Sequence, residues 1–287
     1  IIFEERNNGY NTLQFYTCDI GSDIYNNNVF VGGLQDNGTL TYGLETNNDD
    51  SFDINDMITG GDGAYCFFDQ DEHILLTSTY YNAWYLIDTQ NFNYAYVNNN
   101  SGVFINPSEY DSQNNILYAN KVKFNGAQNH RIIKVDNITV DNILENNFGV
   151  ETINLNTNTS VYYSALKKSN HSNTLFIGTQ SGRFYKVLNI DSNPDEIEIG
   201  SELFPTANIS SISIGNTDDE ILLTFSNYGV SSVWITYNGG SLWHQIENNL
   251  PDMPVRYGLF HPDNINRAVI ATEIGVWETD NLSDIMS

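Results

Sequence analysis

Short apolar runs separated by polar turns set the pattern of this chain. The pattern returns six times, at intervals of roughly 40 to 58 residues. In each copy a strand-like segment ends in a polar turn, an Asn usually precedes an apolar triplet, and a small or polar turn follows. The copies are FYTCDIGSDIYNNNVFVGGLQDNG from Phe15, AYCFFDQDEHILLTSTYYN from Ala64 and FINPSEYDSQNNILYAN from Phe104. The others are YYSALKKSNHSNTLFIGTQSG from Tyr162, ISSISIGNTDDEILLTFSNYG from Ile209 and VRYGLFHPDNINRAVIATEIG from Val255. First strands read as FYTCDI-type segments and second strands as VFVGGL, ILLTST, ILYAN, LFIGT, ILLTF and AVIAT. Third strands read as TLTYGLE, AWYLID, RIIKVD, RFYKVL, SVWITY and GVWETD. The fourth is the most variable, as in LWHQIE. Such a period, with about four strands per unit, predicts an all-β chain folded as a β-propeller of four-stranded blades. Helical periodicity is nearly absent; the best stretch, Ile138 to Asn146, is short and poorly amphipathic.

The opening segment, IIFEERNNGY, reads as a fourth strand that could complete the last blade, whose GVWETDNL lacks one of its own. Six blades then close on themselves and remove an open edge. The competing reading puts a seventh blade outside the chain. No Gly/Ser-rich or Pro-rich linker divides the sequence, so residues 1–287 are expected to form one propeller domain.

Composition narrows the function. With 36 acids against 11 bases the net charge is −25. Nucleic acid needs Lys and Arg clusters to neutralise phosphates, and anionic membrane surfaces need the same. Both are excluded as partners, and no apolar run is long enough to insert in a membrane. An acidic surface aids solubility and suits a secreted or cell-surface protein with a neutral or cationic ligand. The chain begins at Ile1 without a basic segment leading into an apolar one. It is expected either to lack a signal peptide or to be a mature or excised piece. Cys18 and Cys66 fall at the same place in adjacent first strands. One then faces the neighbouring blade while the other faces away, which predicts two buried thiols and no disulfide.

Function in such a fold belongs to the loops at one end, where second strands turn into third strands and each blade leads into the next. That end collects Gln35, Asp36, Asn37, Asp62, Tyr80, Tyr81, Asn82, Gln180, Asn227, Tyr228, Asp252 and Glu273. Carboxylates and amides pair with sugar hydroxyls, and tyrosine rings stack on sugar faces. Asp36 and Asp62 admit four roles: turn stabilisers, ligand contacts, calcium ligands, or a catalytic carboxylate pair. His73, His130, His171, His244 and His261 share no ligand spacing and are expected at the surface or in turns, so no zinc site is indicated. Calcium is the cation that oxygen-rich loops would hold. A sialidase needs three arginines on a substrate carboxylate. The chain has only Arg6, Arg131, Arg183, Arg256 and Arg267, of which Arg6 and Arg256 fall near the loop end. No GxSxG motif occurs.

Thr236-Tyr237-Asn238-Gly239-Gly240-Ser241-Leu242-Trp243 resembles the Asp-box hairpin, with Asn238 where Asp is usual and Leu242 where Thr is usual. Taken in order with RNNGYNTLQFY from Arg6, GGLQDNGT from Gly32, GGDG from Gly60 and NNLPDMPV from Asn248, it is similar to the BNR-repeat, sortilin-like "glycosyl hydrolase" propellers. Such propellers occur in secreted proteins of Bacteroidetes-type bacteria, often as type IX secretion cargo. The resemblance implies a secreted binding or interaction module for a glycan or protein, with secretion-system components as further partners. Two alternatives stand beside it: a glycoside hydrolase using Asp36 and Asp62, and a structural segment of a larger adhesin or secretion cargo.

Overall fold

The computed structural model describes residues 13–25, 28–44, 56–122, 130–155, 161–200 and 202–282. The proposed closing strand at residues 1–10 therefore lies outside the described residues, as does Arg6. The strands fall into six antiparallel sheets. The first sheet holds β1 (Phe15–Ile20), β2 (Phe30–Leu34), β3 (Gly38–Tyr42) and β4 (Asp56–Thr59). The second holds β5 (Cys66–Phe68), β6 (Ile74–Ser78), β7 (Ala83–Asp88) and β8 (Tyr94–Asn98). The third is β9 (Ser108–Asp111), β10 (Ile116–Asn120), β11 (Arg131–Asp136) and β12 (Gly149–Asn154). The fourth is β13 (Tyr163–Lys168), β14 (Thr174–Thr179), β15 (Phe184–Leu188) and β16 (Asp195–Ile199). The fifth is β17 (Ile209–Ile214), β18 (Ile221–Phe225), β19 (Val233–Thr236) and β20 (His244–Gln245). The sixth has three described strands, β21 (Val255–His261), β22 (Asn264–Thr272) and β23 (Gly275–Thr279). One α-helix is described, α1 (Val140–Glu145), within the segment singled out by periodicity; Thr139 caps its start and Asn146 ends it at φ +53°.

The chain groups into two compact units. One comprises residues 1–99 with 139–146, and the other residues 100–138 with 147–287. In the first unit, β1 lies beside β5, and α1 packs on β7 and β8. In the second, β9, β13, β17 and β21 lie side by side in that order, so the first strands of successive sheets are neighbours.

Second strands are buried on both faces: every residue of β6, β14 and β18 is buried. This is why they read as continuous apolar runs and not as alternation. Hydroxyls near the start of first strands tie sheet to sheet. Thr17 Oγ1 donates to the Ala64 carbonyl at 2.9 Å, Ser164 Oγ to that of Ile209 at 2.7 Å, and Ser210 Oγ to that of Val255 at 2.6 Å. Each such bond satisfies a backbone acceptor that sheet stacking would otherwise bury alone. The turns between first and second strands are stapled by short polar side chains. Asp69 Oδ1 accepts from Asp71 and Glu72 at 2.8 and 2.7 Å, and Ser169 Oγ from His171 and Ser172 at 2.9 and 3.0 Å.

Two expectations are corrected. Cys66 is buried against Thr17, 3.5 Å from its hydroxyl, but Cys18 is exposed. Residue 18 alternates with Thr17, so its side chain leaves the side of β1 that meets β5. Both thiols are free, as the alternation argument requires. His130 is not a surface histidine: its side chain is fully buried, bonded through Nδ1 to an equally buried Glu196 carboxylate. Tyr163 and Tyr185 stand edge-on to its ring at 5.4 and 5.0 Å.

Candidate functional site

In the first unit the β2–β3 turn and the segment leading from β4 to β5 lie against one another. The Gly38 N–H donates to the Gly61 carbonyl at 2.7 Å, and the Gly63 N–H to that of Leu34 at 3.0 Å. Asp62 Oδ1 receives the backbone N–H of Asp36 at 2.9 Å. Asp36 sits at φ +59°, in the left-handed region that Asp tolerates better than most residues. The glycines are required by contact. A Cβ on Gly38 would stand 1.8 Å from the Thr59 oxygen, and one on Gly63 would stand 2.1 Å from the Gly38 oxygen.

Above this pair lies a residue that strand alternation alone did not flag. Register shifts interrupt β1 between Phe15 and Thr17, β13 between Tyr163 and Ala165, β17 between Ile209 and Ser211, and β21 between Val255 and Tyr257. A bulge re-aims the extra side chain. In β1 that residue is Tyr16, and its phenol is pushed above its ordinary range by burial first, then by the carboxylates of Asp62 and Asp36. In β21 it is Arg256, whose guanidinium pairs with Glu273 in the β22–β23 turn. The sequence already places Arg256 near the loop end; Tyr16 is marked by the bulge that recurs at four first strands.

The β6–β7 turn presents Tyr80 and Tyr81, 45% and 43% exposed, with ring centroids 5.7 Å apart. Tyr81 and Asn82 take φ +59° and +58°. A left-handed conformation is unusual for an aromatic residue and holds the Tyr81 ring on the outside of the turn. Asn82 itself is buried.

The second unit repeats the first unit's loop relation. Asp252, between β20 and β21, accepts the Gly229 N–H of the β18–β19 turn at 2.7 Å. Ser232 Oγ bonds the Met253 carbonyl at 3.3 Å. Asn227 Oδ1 accepts the Asn208 N–H at 2.7 Å, and Tyr228 is 66% exposed. Gln180 begins the β14–β15 turn, where its own N–H donates to the Tyr162 carbonyl at 2.9 Å. Thus Gln35, Asp36, Asn37, Asp62, Tyr80 and Tyr81 belong to one unit, and Gln180, Asn227 and Glu273 to the other. Among the described residues no three His, Cys, Asp or Glu side chains converge as a metal cluster.

The hairpin between β19 and β20 is held by two side chains. Thr236 Oγ1 accepts the N–H groups of Asn238 and Gly240 at 3.3 and 3.1 Å and donates to Asn238 Oδ1 at 3.0 Å. The same Asn238 oxygen takes the Leu242 N–H at 2.8 Å. Trp243 then packs edge-on to Phe184 and Phe204, with centroids 5.9 and 5.0 Å apart.

No protein-family model and no curated protein sequence matches the chain. Solved structures do. A crystal structure of an ancestral GH74 enzyme superposes with a TM-score of 0.66 at 15% identity, over 92% of this chain and 36% of that one. Raptor from Chaetomium thermophilum gives 0.59 at 12%, over 91% and 24%. The WD40 domain of Neurospora crassa Pan2 gives 0.59 at 14%, over 93% and 76%. The chain is a six-bladed β-propeller. The propeller thus spans about a third of the GH74 enzyme and a quarter of Raptor. Identities this low carry the fold and not the chemistry. Among its described residues no helix is long and apolar enough to cross a membrane.

Proposed function

We propose that this propeller is a secreted or cell-surface binding module that holds its ligand on loops between second and third strands and between consecutive blades. The supporting observation is the brace of Asp62 on the Asp36 amide, repeated by Asp252 on Gly229. Loops fixed in this way lose little further entropy on binding, which is what a preformed recognition surface requires. Tyr16, whose phenol feels both carboxylates, and the exposed pair Tyr80 and Tyr81 of the same unit would supply the aromatic faces of an aromatic and carboxylate set suited to sugar hydroxyls and ring faces. The brace also favours binding over hydrolysis. Asp62 spends an oxygen on a backbone amide, whereas a glycosidase needs both carboxylates directed at one bond. The order of the motifs and the acidic composition support a location outside the cell, with type IX secretion as the route.

The test is a screen of the full chain against a neutral glycan array and against extracellular proteins of the same source, followed by Asp36→Ala and Tyr81→Ala. Loss of binding with an unchanged melting temperature supports the reading. Variants that melt lower and bind every ligand normally would rule these loops out as the site.

A further inference from the structure

The chain is rich in acids, yet one stretch is almost free of charge. Between His73 and Glu109 the only charged residue is Asp88, and Asp88 is fully buried. The same stretch carries five of the 18 tyrosines: Tyr80, Tyr81, Tyr85, Tyr94 and Tyr96. Strand pairing brings three of them to one face. Tyr85 of β7 is the cross-strand partner of Tyr96 on β8, and Tyr94 lies two residues before Tyr96 on the same side. Their ring centroids are 4.9 Å apart for Tyr85 and Tyr96, and 5.9 Å for Tyr85 and Tyr94. Tyr94 is 63% exposed and Tyr96 46%. Asn98 Nδ2 donates to the Tyr96 hydroxyl at 2.9 Å, and Asn99 and Asn100 follow it in sequence. The Tyr85 phenol is pushed upward by burial first, then by the hydroxyls of Tyr96, Tyr94 and Tyr80, which places the turn tyrosine near the strand tyrosines.

We infer that this tyrosine face of the second blade is a platform for an uncharged oligosaccharide, resting on the binding-module reading above and naming its ligand class. Tyrosines also anchor protein interfaces, commonly with Arg and Trp beside them, but this stretch has no Arg and its Trp84 is buried. Here every exposed ring ends in a hydroxyl, and the strand runs into three consecutive carboxamides. Such a surface stacks on the C–H faces of pyranose rings and bonds their hydroxyls. Charge selects the ligand further. The chain carries −25 overall, and α1, packed on β7 and β8, brings Asp141 and Glu145, so an acidic glycan is repelled while a neutral one is not. The platform has no cationic side chain to hold an acidic sugar.

The experiment is calorimetric titration of the full chain with cellohexaose, mannohexaose and chitohexaose, and with hexagalacturonate as the acidic control. The expected result is binding of at least one neutral hexaose, unchanged between low and high salt because no ion pair contributes. The double substitution Tyr94→Ala/Tyr96→Ala should weaken it by about tenfold or more, the scale of losing stacked rings. Tyr94→Phe/Tyr96→Phe, which keeps the rings, should stay within a few-fold. Equal affinity of the alanine double variant and the parent would overturn the platform while leaving the binding module intact. Tighter binding of hexagalacturonate would overturn the ligand class. If no hexaose binds but a purified extracellular protein does, the glycan platform fails and the module stands. If neither binds at all, both fail.

Discussion

Asp62 and Asp36 are joined by a single hydrogen bond, 2.9 Å from carboxylate oxygen to backbone N–H, and this bond fixes the turn from β2 to β3 against the chain leaving β4. Asp252 and Gly229 repeat the relation four blades on along the sequence, at 2.7 Å. One carboxylate from the inter-blade segment therefore braces one turn in each of two blades.

Replacing Asp62 with Ala removes the acceptor for the Asp36 amide at an exposed site. The expected loss is about 1 kcal/mol of stability, and Asp252→Ala should cost a similar amount. Asp36→Ala leaves the brace intact and should cost less than Asp62→Ala. Urea denaturation of the three variants checks the order; a larger loss at Asp36 than at Asp62 would contradict it.

Asn238 Oδ1 serves both the Thr236 hydroxyl and the Leu242 N–H. Asn238→Ala should destabilise by about 1–2 kcal/mol, whereas Asn238→Asp keeps the acceptor and should be nearly neutral. Thermal melts distinguish the two, since only the Ala variant should unfold early.

His130 and Glu196 share a bond with both side chains fully buried, linking the third and fourth blades. Glu196→Ala strands the histidine and should cost about 3 kcal/mol or more. Replacing both with Leu removes the unmet polar groups and should restore part of that loss. A double-mutant cycle reads the coupling; additive single and double effects would show that the bond contributes nothing of its own.

Burial holds the Cys66 thiol and the Tyr25 phenol protonated, each pushed up to about 12 from ordinary values of 9 and 10. Both belong to the core of the first unit. In the unfolded chain each loses its proton at its ordinary value, so the folded state binds more protons above that point. The stability from these groups is present below about pH 9 and is lost as pH rises towards 12, by about 1.4 kcal/mol per pH unit for each group as it titrates. Denaturation midpoints between pH 8 and 11.5 should fall steeply. Cys66→Ala should flatten the part of the decline that begins near 9.

Much of this protein was written in its pattern. The doubly buried second strands appear as ILLTS, LFIGT and ILLTF because stacked blades cover both faces. The Asp, Ser and Asn staples stand where the turns need acceptors. Gly38 and Gly63 sit where two backbones touch. The neighbourhood of Gln35–Asn37 and Gly60–Gly63 followed from those features. Tertiary structure decided what periodicity leaves open. DEIEI in β16 alternates acid and Ile, and either face could point inward; packing against His130 and Arg183 turned Glu196 and Glu198 in and left Ile197 43% exposed. Only the stacking of sheets decided that Cys66, set against Thr17 of the neighbouring sheet, is buried, while Cys18 points away from that contact and is exposed. The tyrosines of β7 and β8 are separate letters in the sequence. Antiparallel pairing makes them one surface, because proximity across strands depends on register, and register is fixed only when the sheet assembles.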